Sequence, residues 1–503
     1  MVFRQLRRFV KPRLKRYPPA LRLYEAISWA FTRSRPALAV KRSLATGIDL
    51  AFPMWTAPRC RLAYRYAVEG QVQKAIAIAD DVLAREPELA LGDDNLLRLA
   101  SIYWLQTRYD EAHRLFERME ERRYRIAREL QYDRLGLRFF STGGFLAIGH
   151  LGMLDTYVKG EMLGLIPKQT NVILGAPENY SNPAYVRYWG KYFSLLTNPT
   201  TISLLAPLSE YLQEHISVVR TGAGTRSFGA FARDVQLQWE AEERGPLLEL
   251  STEHRERGYR LLRELGVPEG AWFVGLHVRE GKERMRDLRN ADITTYRLAI
   301  EEIAKRGGWV LRMGDRSMRA LPSWPHTIDY AHSGKREDWM DVFLWAEGRF
   351  FIGTGSGPQV IPMTFGKPVA IANHGPMALL VFGKNDILLP KPYLRDKEES
   401  YLTMRERLRS EYRSAESISA FAAMGIRVID NSPEELRDLV IEMMDRLDGR
   451  YADTEQERES QARFAELAAA HQFYPVRIAR AFLSRYPNCC EGFRSDQEDW
   501  ISP

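Results

Sequence analysis

The feature that most constrains the fold is an alternation of short apolar runs and helix-like segments between residues 270 and 375. The runs "AWFVGLHV", "GWVLRMG", "RFFIG" and "PVAIAN" have the composition of buried strands, and "HTIDYA" adds a shorter one. Segments between them, such as "TTYRLAIEEIAKRG" and "REDWMDVFLWAEG", have helical periodicity. Strands linked by crossover helices pair in parallel, so the pattern predicts an α/β domain with a doubly wound sheet.

A fainter pattern of the same kind precedes it. The stretch "LRFFSTGGFLAIGHLGMLDTYVKGEMLGL" indicates a strand, a glycine-rich turn and a helix, and "TNVILGAP", "TISLLAPL" and "HISVVR" indicate further strands. We therefore predict an α/β fold with two Rossmann-like domains that face a cleft. Since 503 residues exceed one ordinary domain, we expect a basic arm, a helical region, the two α/β domains and C-terminal helices that pack back. The predicted boundaries are 1–58, 59–128, 129–266, 267–450 and 451–503.

The region 59–128 contains two similar helical units, "LAYRYAVEGQVQKAIAIADDVLAREP" and "LRLASIYWLQTRYDEAHRLFERMEE". Ala75 of the first unit corresponds to Ala112 of the second, and Phe116 follows one helical turn later. This arrangement is typical of a tetratricopeptide-like pair. Such a pair could bind a partner or cap the next domain, and we favour the capping role.

The excess of basic residues is partly concentrated at the N-terminus. The formal net charge is +7, and residues 1–45 are rich in Lys, Arg and aromatic side chains. This segment could lie on an anionic membrane surface, or it could be a solvated basic arm. Basic residues interrupt its apolar stretches, which excludes a secretory signal, and the chain has no apolar run of membrane-spanning length. The cysteines Cys60, Cys489 and Cys490 form no disulfide or metal pattern, so we expect a cytoplasmic protein, at most peripheral at the inner face of the membrane.

In open parallel sheets, ligands bind beyond the carboxyl ends of the strands, so the loops that follow the predicted strands are the candidate sites. His277 and Arg279 end the strand "AWFVGLHV", and Lys282 follows closely. Several more arginines lie in the segment "GKERMRDLRNADI". Arginine at a strand end is well suited to phosphate oxygens. The later basic residues alternate with acids and could equally form a solvated helix face.

A glycine-rich turn follows the strand "RFFIG" and precedes a helix. This turn, called the glycine loop below, consists of Gly353, Thr354, Gly355, Ser356 and Gly357. Glycines let backbone N–H groups approach an anion, and a helix N-terminus adds partial positive charge. The loop lacks the lysine of a P-loop, and alone it could be only a tight turn. Together with Arg279 on a separate strand, it predicts a two-sided diphosphate clamp.

Two other loops give weaker signals. Gly314 and Asp315 end the strand "GWVLRMG", and a Gly-Asp pair is also common in ordinary turns. Asp329 and Tyr330 end the strand "HTIDYA". The tyrosine ring could stack on a nucleotide base and the carboxylate could accept from it, or both residues could cap the next helix.

The segments "GLHVRE", "RNADITTY", "VLRMGD", "IDYA", "FFIGTGSGP" and "FGKPVAIAN" occur in this order. They resemble a family of bacterial glycosyltransferases linked with surface-polysaccharide synthesis. The wider pattern is similar to the GT-B fold of fucosyltransferase-like and heptosyltransferase-like enzymes. The resemblance covers residues 270–375 strongly and 135–265 more faintly, and it includes neither the basic arm nor the helical region.

The resemblance implies a role for each matched loop. Arg279 would hold the diphosphate of a nucleotide sugar, and Thr354–Gly357 would hold it from the other side. Similar proteins often have "GTSSG" here, so Gly355 replaces a serine and removes one hydroxyl donor. Asn290 and Asp292 of "RNADI" could cap the helix that starts near Thr294. The first α/β domain would bind the acceptor and the second the nucleotide sugar.

The resemblance also implies that neither a metal nor a separate cofactor is needed, because protein cations neutralise the leaving diphosphate in GT-B enzymes. An inverting transfer requires a base for the acceptor hydroxyl, and in this fold it would come from the first α/β domain. His150 and Asp155 in "AIGHLGMLD" and Glu178 in "GAPENYSNP" are the candidates. His150 could instead only cap a helix.

The sequence therefore predicts an enzyme that transfers a sugar from a nucleoside-diphosphate sugar, with a GDP-sugar favoured, to a glycan or lipid-linked acceptor in surface-polysaccharide synthesis. The alternative is a non-catalytic helical-repeat scaffold that binds a nucleotide or glycan. A scaffold needs neither the Arg279 loop nor the glycine loop, which favours the enzyme. The basic balance also suits nucleic acid, but the sequence has no nucleic-acid reader motif, so we do not expect that partner.

Overall fold

The structure is a computed structural model that describes residues 56–487, except 70, 86–90, 106–107, 142–144, 146, 215–217, 222–223, 282–287, 376–382, 410–411, 413–414 and 416. Most of the predicted basic arm, Lys282, Cys489 and Cys490 therefore lie outside the described residues. Within the described part of the chain, no helix combines the length and the apolar character that a membrane crossing requires.

The described chain begins with four helices: α1 (Thr56–Val68), α2 (Val72–Arg85), α3 (Asp93–Leu105) and α4 (Tyr109–Glu129). Their shared core is rich in small side chains, and Ala75, Ala112 and Phe116 are all buried in it. Small residues at the contacts let helix backbones approach closely. Val218 and Ala230 of the following domain complete this core, so the helical region packs directly on its neighbour. The tetratricopeptide-like relation of the two units stays a prediction.

The first α/β region contains a three-stranded parallel sheet, in the order β1-β2-β3. Its strands and helices are β1 (Leu137–Ser141), α5 (Met153–Met162), β2 (Thr170–Leu174), α6 (Pro183–Tyr188), β3 (Ser194–Leu196) and α7 (Pro199–Leu212). An antiparallel hairpin and two helices follow: β4 (Val218–Thr221), β5 (Gly224–Ser227), α8 (Phe228–Ala241) and α9 (Thr252–Glu264).

The expectation of a strand at "TISLLAPL" is wrong, because this segment lies inside α7. Asn198 caps the helix by accepting from the backbone N–H groups of Thr200 and Thr201, and Pro199 occupies the first helical turn. An asparagine cap followed by proline is a strong helix start. The apolar side chains of α7 then pack at helical spacing against the first sheet.

The second α/β region contains seven strands in the order β14-β11-β10-β9-β6-β7-β8, all paired in parallel. This confirms the large parallel sheet. Its first elements are β6 (Phe273–His277), α10 (Arg297–Lys305), β7 (Trp309–Arg312), β8 (Thr327–Ile328), α11 (Asp338–Glu347), β9 (Phe351–Thr354), α12 (Val360–Thr364), β10 (Val369–His374) and β11 (Ile387–Pro390).

The remaining elements are mostly helical. They are β12 (Tyr393–Arg395), α13 (Met404–Arg407), α14 (Ile418–Ala423), β13 (Ile426–Val428), α15 (Pro433–Leu447), α16 (Glu455–Ala470), β14 (Arg477–Ile478) and α17 (Arg480–Arg485). Strand β14 adds to the edge of the second sheet. Tyr474, just before it, donates a hydrogen bond of 2.5 Å from its hydroxyl to Glu240 Oε2 in α8. The C-terminal segment thus contacts both α/β regions.

The two α/β regions share one continuous hydrophobic core. Polar contacts across it are also specific. Asn182 donates to the carbonyl oxygen of Asp338 at 3.0 Å, and the hydroxyls of Tyr185 and Thr364 lie 3.0 Å apart. Because packing and hydrogen bonds act together, the loops at the carboxyl ends of the second sheet are held at a defined position relative to the first region.

Candidate functional site at the switch point of the second sheet

The strand order places the two loops singled out in the sequence next to each other. The chain runs from β6 outward through β7 and β8, and then returns to build β9, β10 and β11 on the other side. Strands β6 and β9 are therefore neighbours at the point where the order reverses. Ligands in open α/β sheets bind at this switch point, beyond the carboxyl ends of the strands.

The two strands approach unusually closely at Gly353. This residue pairs with His277 in the sheet register. A Cβ atom added to Gly353 would lie only 2.0 Å from the carbonyl oxygen of His277. Only glycine fits such a contact, so the first glycine of the glycine loop fixes the distance between the two loops.

Two side-chain hydrogen bonds join the loops beyond the strands. The backbone N–H of Arg279 donates to Thr354 Oγ1 at 2.9 Å, and Ser356 Oγ lies 3.0 Å from His277 Nδ1. Thr354 is completely buried. Ser356 also starts the short helical turn Gly357–Gln359 through a capping box. In this structure the hydroxyls of Thr354 and Ser356 therefore bind protein groups.

Asn290 holds Arg279 in place, a contact that sequence reasoning missed. The guanidinium Nη1 of Arg279 donates to Asn290 Oδ1 at 2.9 Å. The same amide accepts from the N–H of Gly281 at 3.0 Å and donates to the carbonyl oxygen of Gly281 at 2.7 Å. Lys391 Nζ in turn donates to the Asn290 carbonyl oxygen at 2.7 Å. In the sequence, only the short distance between "HVRE" and "RNADI" could have indicated that Asn290 contacts Arg279 and Gly281.

The expected helix cap in "RNADI" is confirmed for Asp292, whose side chain accepts from the N–H of Thr294 at 2.9 Å. The predicted partner in this cap, Asn290, serves the Arg279 loop instead. The two polar residues of the motif thus have different tasks.

The weaker loops have their own internal contacts. Asp329 accepts from Arg312 Nη1 at 3.0 Å and from the N–H of Leu321 at 2.9 Å, and Arg312 is fully buried. The ring of Tyr330 is also fully buried, so it offers no exposed face for stacking on a base.

Gly314 follows β7 at a positive φ of 145°, and Asp315 accepts from the N–H of Ser317 at 2.7 Å. Hydrogen bonds from the side chain of Ser317 and from its backbone N–H lower the pKa of Asp315. The carboxylate is exposed beyond the strand end. A role for these two residues in binding a nucleotide sugar stays a prediction.

The first α/β region meets the glycine loop through a pair of glycines. A Cβ atom on Gly149 would lie 2.9 Å from the Cα of Gly357, and one on Gly357 would lie 2.7 Å from the nitrogen of Gly149. One helical turn covers Ile148–Gly152, so His150 stands beside this contact, half-buried. The predicted base is thus on the segment of the first region that touches the glycine loop.

The other two base candidates are placed differently. Asp155 is buried in α5 and forms an ion pair of 2.6 Å with Lys159 Nζ. Burial raises the pKa of Asp155, whereas the charge of Lys159 opposes the rise. Glu178 is exposed in the helical turn Pro177–Asn179. His150 is therefore the candidate for which the structure gives a direct connection to the loop.

The charge state of His277 follows from its environment. Burial, together with the positive charge of Arg312, lowers the pKa of His277 to about 4. The imidazole is therefore neutral at pH 7. A neutral ring presents one N–H donor and one acceptor, which suits its hydrogen bond with Ser356 without adding repulsion toward Arg279.

This pKa predicts how stability depends on pH. Because the unfolded chain binds a proton to His277 near pH 6.5 and the folded chain only near pH 4, the contribution is complete above pH 6.5 and is lost as the pH falls toward 4. The full effect is on the order of 3 kcal/mol. We expect wild type to lose stability relative to His277→Gln over this window, as measured by urea unfolding at several pH values. A difference that stays constant from pH 7 to pH 4.5 would contradict the assignment.

Among the described residues, no group of three or more His, Cys, Asp or Glu side chains is arranged to hold a metal ion.

Comparisons with known proteins give only distant similarity. No protein-family model matches the chain, and no curated protein is significantly similar to it. Among solved structures, a glycosyl transferase family 9 protein from Veillonella parvula is 12% identical, with a TM-score of 0.35 over 50% of this chain and 85% of that one. The iron-containing dodecameric glycosyltransferase TibC from enterotoxigenic E. coli is 16% identical, with a TM-score of 0.29 over 47% and 57% of the two chains.

A second TibC structure, described as a heptosyltransferase in complex with ADP-D-β-D-heptose, is 12% identical, with a TM-score of 0.35 over 62% of this chain and 75% of that one. At TM-scores this low, these similarities assign no function to the chain.

Proposed function

We propose that the protein is a glycosyltransferase that moves a sugar from a nucleoside-diphosphate sugar to a glycan or lipid-linked acceptor. The observation that carries this proposal is the junction of Arg279 with the glycine loop at the switch point of the second sheet. A cation and a glycine-rich helix start on adjacent strand ends form an anion site with two sides. A diphosphate is the leaving group that such a site suits.

The chemistry of the transfer follows from this placement. When the bond between the anomeric carbon and the diphosphate oxygen breaks, negative charge develops on the diphosphate. Arg279 and the loop N–H groups are fixed in advance, so they stabilise that charge without reorganisation. Asn290 keeps the guanidinium oriented. The proton of the acceptor hydroxyl would pass to His150, which approaches from the first region.

The proposal extends to several finer points. We infer a GDP-sugar as the donor, a role for the first region in binding the acceptor, and a place in bacterial surface-polysaccharide synthesis. All three rest on the sequence resemblance. The basic arm would hold the enzyme at the inner face of the membrane, near a lipid-linked acceptor.

Thermal shift against nucleotide sugars tests the donor class. We expect GDP-, UDP-, ADP- or CMP-linked sugars to raise the unfolding temperature of wild type, with the largest increase for the true donor. The increase should disappear in Arg279→Ala, because the diphosphate loses its charged partner. If none of the four classes stabilises wild type, the transferase proposal fails. Stabilisation that survives in Arg279→Ala would instead reject the role of that residue.

Removal of divalent metal tests how the leaving group is neutralised. We expect sugar transfer to continue unchanged in excess EDTA, because Arg279 and the helix start supply the positive charge. The measurement is product formation from the donor identified by thermal shift, with and without EDTA and added Mg²⁺. A loss of turnover in EDTA that Mg²⁺ restores would contradict this prediction.

A further inference from the structure

Arg407 is a buried cation without an ordinary partner. It ends the short helix α13, and it is only 1% exposed. Within the described part of the chain, none of its three guanidinium nitrogens has a hydrogen-bond partner. Burying a charge is costly unless an anion or a set of acceptors compensates it, so a guanidinium in this state calls for a ligand.

Two aromatic rings contact the Arg407 guanidinium, but they compensate only part of the cost of burying it. The Cζ atom of Arg407 lies 4.1 Å from the ring centroid of Tyr393 and 5.9 Å from that of Phe482. Rings stabilise the charge through the faces of the guanidinium plane. The N–H donors point outward within that plane, and a cation–π contact does not satisfy them. The ring faces therefore supply no acceptor to these donors.

Other basic groups converge on the same place. His374 is the last residue of β10 and is buried. Burial, followed by the positive charges of Arg407 and Arg289, lowers the pKa of His374 to about 3. Gly375 permits the approach of the segment that carries Arg289, because a Cβ atom there would lie 2.8 Å from Leu288 Cγ.

We propose that Arg407, Arg289 and His374 form a second oxyanion site, at the carboxyl end of β10, that binds a phosphate group. Arg407 would supply charge and paired N–H donors to the phosphate, and Arg289 and His374 would border it. The phosphate is either free or part of a phosphate-bearing substrate. Strand β10 lies beside β9, about 5 Å away, so this site is next to the glycine loop. Its chemistry does not depend on which donor binds at Arg279.

The first test is a thermal shift of the full-length protein in inorganic phosphate against sodium chloride at equal ionic strength. At a phosphate concentration about 100 times its Kd, we expect the unfolding temperature of wild type to rise by about 2–3 °C. Arg279→Ala should keep this rise, and Arg407→Met should lose it. Arg297→Met, which removes an exposed arginine paired with Glu301, is the matched control and should keep it.

The same measurement with farnesyl phosphate in place of inorganic phosphate distinguishes free phosphate from a phosphate-bearing substrate. A larger rise than with equal inorganic phosphate, lost in Arg407→Met, identifies a phosphate-bearing substrate, whereas an equal or smaller rise identifies free phosphate. Absence of any phosphate effect in wild type overturns the site. The site is also overturned if phosphate still raises the unfolding temperature of Arg407→Met but no longer raises that of Arg279→Ala. If Arg407→Met does not fold, Arg407→Lys replaces it, with a weaker phosphate effect expected and an unchanged one overturning the proposal.

Discussion

Replacement of Arg279 by alanine is expected to lower kcat for sugar transfer by on the order of 10²–10³-fold while the protein stays folded. Arg279 follows β6 and its backbone contacts the glycine loop, and the proposed function places the leaving diphosphate at this junction. Its backbone N–H bond to Thr354 does not depend on the side chain, so the loop junction survives the substitution. Steady-state kinetics and thermal unfolding of the same preparation measure the two effects separately.

The control variants make this result specific. Arg297→Ala removes an arginine whose side chain is 65% exposed and pairs with Glu301 in α10, so its turnover should equal that of wild type. Arg279→Lys should recover only part of the activity, because an ammonium cannot bind two phosphate oxygens in the fixed geometry of a guanidinium. Equal turnover in Arg279→Ala and wild type would show that the leaving group is stabilised elsewhere.

The activity of Asn290→Ala should lie between that of wild type and that of Arg279→Ala. The amide does not reach a ligand in the proposed mechanism; it positions Arg279 and Gly281. Losing it frees the guanidinium to move, which should raise KM more than it lowers kcat. A loss as large as that of Arg279→Ala would indicate a direct role in the reaction.

Replacement of Gly353 by alanine is expected to lower the free energy of unfolding by about 2–4 kcal/mol. The new methyl carbon would lie 2.0 Å from the carbonyl oxygen of His277, so β6 and β9 must separate. Separation also lengthens the Arg279–Thr354 and His277–Ser356 hydrogen bonds, so activity should be lost as well. Urea unfolding followed by tryptophan fluorescence measures the change.

Gly245→Ala is the matched control for this variant. Gly245 is exposed, and no heavy atom lies within 4 Å of a Cβ atom placed on it. The same chemical change there should leave the free energy of unfolding and the activity near the wild-type values. If Gly353→Ala is as stable as Gly245→Ala, the close approach of β6 and β9 does not contribute to stability.

Local patterns were sufficient for most of the second α/β region. Its apolar runs are short and bounded by Gly and Pro, and its helices have clear periodicity, so strands and helices could be predicted in order. The first region was harder. "TISLLAPL" has the composition of a buried strand, yet it is helical because Asn198 and Pro199 start a helix just before it. Capping decided the structure where composition was ambiguous.

By itself, the sequence determined the parallel α/β sheet, the glycine loop and the position of Arg279 at a strand end, because each depends on residues close together in the chain. Only the tertiary structure decided that the two loops are in direct contact. The residues that join them are far apart in sequence, as in the Arg279–Thr354 and His277–Ser356 bonds, and they meet because the strand order reverses between β6 and β9. The contact of Gly149 with Gly357 and the buried charge of Arg407 likewise arise from packing between distant segments, which no local pattern encodes.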